Sequence, residues 1–283
     1  MSARGTARSA GGAAREAGNS DTLENLARVG LLAYGVVHLL VAWIAVQLAW
    51  FGGGGKSADQ SGAMETLAES PVGKPLLWVI TVGLVALAAW QAAEVLRWRG
   101  QWSSSGKTRA TALKKSGKAV LKTVIYVALA VLAARYAMDS GRSSSQQQQD
   151  TTAGVLGWPG GRWIVGAAGL VLLGVGVYHV YKGVTKRFLK EIDTSDASAS
   201  ARRLVTRLGQ VGFPGKGVAL AGVGVLLAWA AITFDPSKAR GLDGAMHAIL
   251  ALPFGRILLT LVAAGIAAFG AYLFVRARYP ERT

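Results

Sequence analysis

One stretch of this chain occurs twice almost unchanged and a third time in degraded form. Gly62-Ala63-Met64 leads through Pro71-Val72-Gly73-Lys74 into an apolar run from Leu76. Gly244-Ala245-Met246 leads in the same way through Pro253-Phe254-Gly255-Arg256 into the run from Ile257. In both copies nine positions separate the first Gly from the Pro, and two separate the Pro from the next Gly. The third copy is Pro159-Gly160-Gly161-Arg162, ahead of the run from Trp163. Three copies of one turn, each feeding one hydrophobic segment, imply three copies of one structural unit.

Hydropathy says what that unit is. Of 283 residues, 52% are hydrophobic and 16% charged, and the mean hydropathy is +0.35. A helix of a soluble protein carries a polar stripe every 3.6 residues; segments 79–89 and 169–177 carry none. Several runs reach the roughly 20 residues needed to cross a bilayer. The expected spans are 28–51, 75–96, 119–138, 162–182, 212–234 and 255–276. Backbone polar groups in hydrocarbon must be satisfied within their own segment, so these spans are helices, and the alternation of a barrel strand is absent. The expected fold class is all-α integral membrane: six transmembrane helices from three parallel two-helix repeats, in a pseudo-threefold bundle. Two spans per repeat make every copy enter the membrane in the same direction. Residues 1–24 read as a disordered cytoplasmic tail, followed by repeats over 25–100, 101–190 and 191–283.

Charge sets the orientation. The tail, the loops after the second and fourth spans, and the C-terminus hold 21 of the Lys and Arg residues; the opposite loops hold 7, and Lys122, Arg135 and Lys216 fall inside spans. That bias predicts cytoplasmic termini and a multi-pass protein of the bacterial inner membrane. A net charge of +16 in a soluble chain would suggest nucleic acid. Beside apolar spans it suggests anionic lipid head groups instead, so the expected partners are the bilayer, a membrane-protein partner or a second copy, and no nucleic acid. Trp50, Trp78, Trp158 and Trp163 fit one interfacial belt, and Trp98 and Trp102 the other. With no cysteine, disulfides, thiolate nucleophiles and Cys-based metal sites are excluded.

Offsets of 88 and 94 residues superpose the second helices and align Trp90 with Tyr178 and Tyr272. Among the first helices, Gly30 and Gly35 match Gly212 and Gly217, and the middle copy offers only Gly117. Small residues four apart predict close helix contacts at Gly217 with Ala221, Gly224 with Ala228, Ala264 with Ala268, and Ala88 with Ala92.

Arg28-Val29-Gly30 with Gly35-Val36-Val37-His38, the run Asp59-Gln60-Ser61-Gly62-Ala63 and the threefold Pro-x-Gly-Lys/Arg carry a resemblance. Over about residues 25–280 the chain resembles the bacterial membrane family numbered 1206 among the domains of unknown function. The resemblance implies a tripled two-helix unit, a six-span inner-membrane protein and no established activity. The middle repeat departs from the pattern, with serines and glutamines over 143–149 where the outer motif belongs.

Candidate residues are few. Segments 61–68 and 243–250 read as short interfacial helices capped by Ser61 and Asp243. Lys74, Arg162 and Arg256 are a candidate cation ring at the outer mouth, a device that selects anions in pores; snorkelling to lipid phosphate explains them equally well. The candidate intramembrane polar positions are His38, Gln91, Glu94, Tyr178 and His179. An ionisable residue in a span is a functional candidate by default. Gln47 or Gln91 is the expected partner of His38, Glu94 is placed to pair with Lys122, and Arg135 with Asp139. Two imitations of a phosphate loop, at Gly52–Gly55 and at Gly106-Lys107-Thr108, follow no strand and are not expected to bind nucleotide. The expected function is a non-enzymatic binding or scaffolding component without catalytic residues, cofactor or metal; the alternative is a small channel or transporter along the pseudo-threefold axis.

Overall fold

The computed structural model describes residues 21–103, 105–141, 143–192 and 198–279, and within them every regular element is helical. The chain runs α1 (Asp21–Phe51), α2 (Gln60–Ala68), α3 (Gly73–Arg99), α4 (Gly106–Ala137), α5 (Ser144–Leu156), α6 (Gly161–Val184), α7 (Ala199–Thr233), α8 (Gly241–Leu250) and α9 (Gly255–Arg278). Six of these, α1, α3, α4, α6, α7 and α9, are long and apolar enough to cross a membrane. The short helices α2, α5 and α8 are elbows between the two spans of each repeat, so they share one face of the bundle. The opposite face, the basic face, carries the other ends of the spans. Residues 1–20 of the expected tail lie outside the described residues, and α1 already begins at Asp21.

The expected spans sit within the six long helices almost throughout, but α4 and α7 begin 13 residues earlier than expected. Their leading segments are rich in Ala, Leu, Lys and Arg, strong helix formers that carry the helix past the apolar run and out into the polar zone. Pro214 lies within α7, a position tolerated in spanning helices where neighbouring helices or local adjustment can satisfy the freed carbonyl.

The three elbows explain the repeated Pro-x-Gly. A Cβ on Gly73 would stand 1.6 Å from the Leu67 carbonyl oxygen, one on Gly161 1.8 Å from that of Val155, and one on Gly255 2.0 Å from that of Leu250. The chain reverses so tightly there that the elbow's backbone occupies the side-chain position, and glycine alone fits.

The second helix of each repeat packs most extensively on the first helix of the next: α3 on α4, α6 on α7, and α9 back on α1. The result is a ring of six helices in chain order with approximate threefold symmetry. Within repeats, α1 also packs on α3 and α7 on α9, but α4 and α6 form no comparable contact. The physical reason lies in two glycine pairs. A Cβ on Gly83 would lie 3.1 Å from the Gly30 Cα, and one on Gly265 would lie 2.6 Å from the Gly215 Cα. Packing at backbone distance holds helices together in lipid. In the middle repeat Val171 takes the position of Gly83 and Gly265 and is exposed, while nothing approaches Gly117. The consequence is large: α4 and α6 each bury 17% of their most apolar stretch, against 50% for α1 and α9.

Between repeats the small-residue contacts persist. Gly217 and Ala221 of α7 meet Gly176 of α6, and Gly224 and Ala228 meet Gly169, as the spacing predicts. Ala264 is exposed, and Gly265 makes the close contact expected there. The core fills the ring toward the elbow face, with Ile44, Met64, Leu77, Ile80, Met246 and Leu259 fully buried.

Candidate functional site

The three elbows are joined by a circuit of hydrogen bonds. The carboxylate of Asp243, in the first turn of α8, accepts from the Ala58 amide at 2.7 Å. The Ser61 hydroxyl oxygen, at the start of α2, accepts from the Ser144 amide at 3.1 Å. The Ser145 hydroxyl, in the first turn of α5, donates to the Arg240 carbonyl at 2.6 Å, just ahead of α8. Each repeat thus holds the next, and Asp59, Ser61, Ser145 and Asp243 are all buried. Caps differ from the expectation. Asp59 caps α2, accepting from the Ser61 amide at 2.8 Å and the Gly62 amide at 3.2 Å, and Ser61 and Asp243, two and three residues past the cap positions Asp59 and Arg240, reach across to a neighbouring repeat instead. Burial pushes the Asp59 carboxyl above its ordinary range, the Ser61 and Gly62 bonds oppose that, and the Asp243 charge adds to it.

A second polar group lies deep in the bundle toward the basic face. Tyr34 of α1 and Lys216 of α7 each stand 17 residues from the elbow end of their helix, about 26 Å at the α-helical rise. The Lys216 ammonium donates to the Tyr34 hydroxyl at 3.0 Å and sits over the Phe269 ring, 4.1 Å from its centroid. Among the described residues no carboxylate pairs with it. The buried His38 donates from Nδ1 to the Tyr34 carbonyl at 2.8 Å, and its ring packs on Tyr34 and Phe269. Tyr126 of α4 closes the group edge-on to Tyr34, with centroids 5.8 Å apart.

A third group follows at the end of the spans. Glu191, in the short turn Arg187–Glu191 after α6, accepts from the Lys182 ammonium at 2.7 Å, and Arg276 of α9 reaches it at 3.6 Å. Burial disfavours the Glu191 charge, but Lys182 and Arg276 outweigh it and hold the carboxyl below its ordinary range. Lys182 also stands over the Phe213 ring at 4.4 Å. Lys122 of α4 lies within electrostatic reach of Glu191, Arg276 and Lys182.

The structure separates the sequence candidates. His38 makes its bond to neither Gln47 nor Gln91 but to its own helix, because the Tyr34 carbonyl one turn back lies within reach. Glu94 does not pair with Lys122. Arg97 at 3.1 Å and the Trp98 indole at 2.6 Å, both one turn on, take its carboxylate first. Asp139 pairs with Lys74 at 2.5 Å instead of Arg135, since its backbone leaves the helix at φ 56°. Gln91 is half-buried, Tyr178 exposed, and His179 bonds the Val175 carbonyl at 2.8 Å. Lys74, Arg162 and Arg256 are all exposed. Arg162 stands over Phe234 at the end of the neighbouring α7, and Arg256 lines a cleft with Trp50, Leu252 and Phe254. No contact joins the three among the described residues. Of the sequence candidates only His38 joins the deep group; its partners Tyr34 and Tyr126, and Glu191 nearer the basic end, carry no such signal in the sequence, whereas Lys216 inside a span does.

Comparison with known proteins shows the repeat directly. The family model described as Domain of Unknown Function (DUF1206) matches three times, at residues 29–97, 117–186 and 211–280. Five positions after each start stand Tyr34, Lys122 and Lys216, so these three residues occupy one register of the repeat. The chain is 28% identical over 261 residues to the uncharacterized protein YxxB of Bacillus subtilis (strain 168), covering 92% of each chain. No solved structure matches it significantly. Three tandem matches over most of its length make this chain a member of the Domain of Unknown Function (DUF1206) family.

Proposed function

We propose that the protein is a non-enzymatic binding or scaffolding component of the bacterial cell membrane, with both termini in the cytoplasm. In this reading its basic face engages anionic lipid head groups or the acidic surface of a membrane-protein partner. The observation that carries it is the circuit of hydrogen bonds through Asp243, Ser61 and Ser145, which ties the three elbows together with buried groups that satisfy one another. The uneven distribution of Lys and Arg supports the orientation. Reconstitution into liposomes tests the function: no specific, saturable flux of ion or solute is expected, and such a flux would remove the proposal. Reporters fused at the two ends test the orientation, and an extracytoplasmic signal from either end contradicts it.

A path for a small anion is the competing reading, favoured by the Lys216 ammonium inside a span with a tyrosine hydroxyl as its partner. Cysteines placed one at a time at His38, Gln91, Glu94, Tyr178 and Lys216 separate the two. The chain has no cysteine of its own, so labelling is unambiguous. Labelling of His38 and Lys216 from water on both sides supports the path.

A further inference from the structure

The ring of spanning helices is open in one place, between α4 and α6, and the cations of the bundle interior gather at the basic end of that opening. Lys122 stands on one wall and Lys182 on the other. Lys182 and Arg276 share the Glu191 carboxylate. Lys122 forms no hydrogen bond or ion pair among the described residues, although Glu191, Arg276, Lys182 and Lys118 all act on it. Lys216, at the register of Lys122 in the next repeat, is close enough to act on the His179 ring of α6 together with Lys182. Three cations, Lys182, Arg276 and Lys122, therefore act on one acid, and among the described residues two positive charges are left over. Toward the elbow face the two helices turn apolar, with Val124, Val127 and Val131 exposed on α4 and Leu170, Val171 and Val177 exposed on α6.

We propose that this opening is a docking site for one anionic phospholipid, its phosphate held between Lys122 and Lys182 and its acyl chains lying along α4 and α6. This rests on the proposed engagement of anionic lipid and names the place where it happens. Charge complementarity selects the occupant: an excess of cations over the single Glu191 carboxylate, at the end of an apolar wall, matches a phosphate carrying hydrocarbon. Length agrees. From Lys122 to Ala137 α4 extends fifteen residues, about 22 Å, against roughly 15 Å of hydrocarbon in one leaflet, half of a bilayer core. A second copy of the chain is a poorer occupant, since it would bring the same cations to the same contact. The opening exists because Val171 stands where Gly83 and Gly265 make the close contacts of the other two repeats, so the site belongs to the middle repeat alone.

Native mass spectrometry of the full-length chain, taken from mixed phosphatidylglycerol and phosphatidylcholine into detergent, tests the proposal. One phosphatidylglycerol is expected to be retained by the wild type. Lys122→Gln with Lys182→Gln should weaken that retention by about tenfold or more, the loss of charge-assisted phosphate contacts, while Lys74→Gln leaves it unchanged. Retention unaffected by the double variant overturns the site and leaves general lipid engagement standing. A wild type that retains no anionic lipid overturns both. Displacement of the lipid by excess inorganic phosphate overturns the docking mode, because the acyl chains would then contribute nothing. A phosphatidylglycerol carrying a photoreactive acyl chain gives a readout on the wild type that needs no variant. Adducts concentrated on α4 and α6 are expected, and adducts spread evenly over the six spans overturn the proposal.

Discussion

Gly83 lies so close to Gly30 that the two helices α1 and α3 touch backbone to backbone, and a Cβ on Gly30 would come within 2.5 Å of the Gly83 carbonyl oxygen. The obstacle is backbone, which cannot rotate aside as a side chain does. Gly30→Val should therefore force the helices apart and destabilise the protein by about 1–3 kcal/mol, the usual cost of overpacking. Gly117→Val, one position before the counterpart of Gly30 in the middle repeat, has nothing within 4 Å and should leave the melting temperature in detergent nearly unchanged. Equal losses in the two variants would contradict the packing described for the open repeat.

The elbow circuit is expected to be cooperative. Asp243→Ala removes the acceptor of the Ala58 amide, and Ser145→Ala removes the donor to the Arg240 carbonyl. Each leaves a buried backbone group without its partner, which costs about 1–3 kcal/mol. Hydrogen exchange should speed up in α2, α5 and α8 together in either variant. Faster exchange confined to the substituted elbow would mean that the three are held independently.

Acid should act in opposite senses at the two ends of the bundle. The folded Asp59 carboxyl keeps its proton to a higher pH than the ordinary 3.8, chiefly through burial. Its contribution is therefore fully present below that ordinary value and is lost as pH rises through the raised one. Glu191 is held below its ordinary 4.5, so its contribution is present above that value and is lost as pH falls through the depressed one. Melting temperatures against pH should show Asp59→Asn removing a component that weakens with rising pH, and Glu191→Gln removing one that weakens with falling pH.

Lys74 and Asp139 form an ion pair whose side chains are 52% and 68% exposed. Exposed pairs contribute at most about 1 kcal/mol, and salt weakens them further. Lys74→Ala should shift the unfolding midpoint only slightly, and less still at high ionic strength. A large loss would give this cation a structural role that its exposure does not suggest.

Apolar runs longer than a bilayer core and a tripled turn were enough to determine six spanning helices, their parallel repeats and their approximate symmetry. These follow from backbone chemistry in hydrocarbon, which leaves a long apolar segment no alternative to a helix. The pairings of His38, Glu94 and Asp139 were not decided at that level. Each has several partners within one turn along its own helix or across a loop, and a small change in depth or backbone angle selects among them. Which charged residues converge was decided only when the ring closed, because Tyr34, Lys122, Lys216 and Glu191 are far apart in the chain and meet through the packing of α1, α4, α7 and α9. The open side of the ring is of the same kind. Val171 is an ordinary apolar residue in an apolar run, and it matters only because a helix that meets glycine in two repeats finds a side chain in the third.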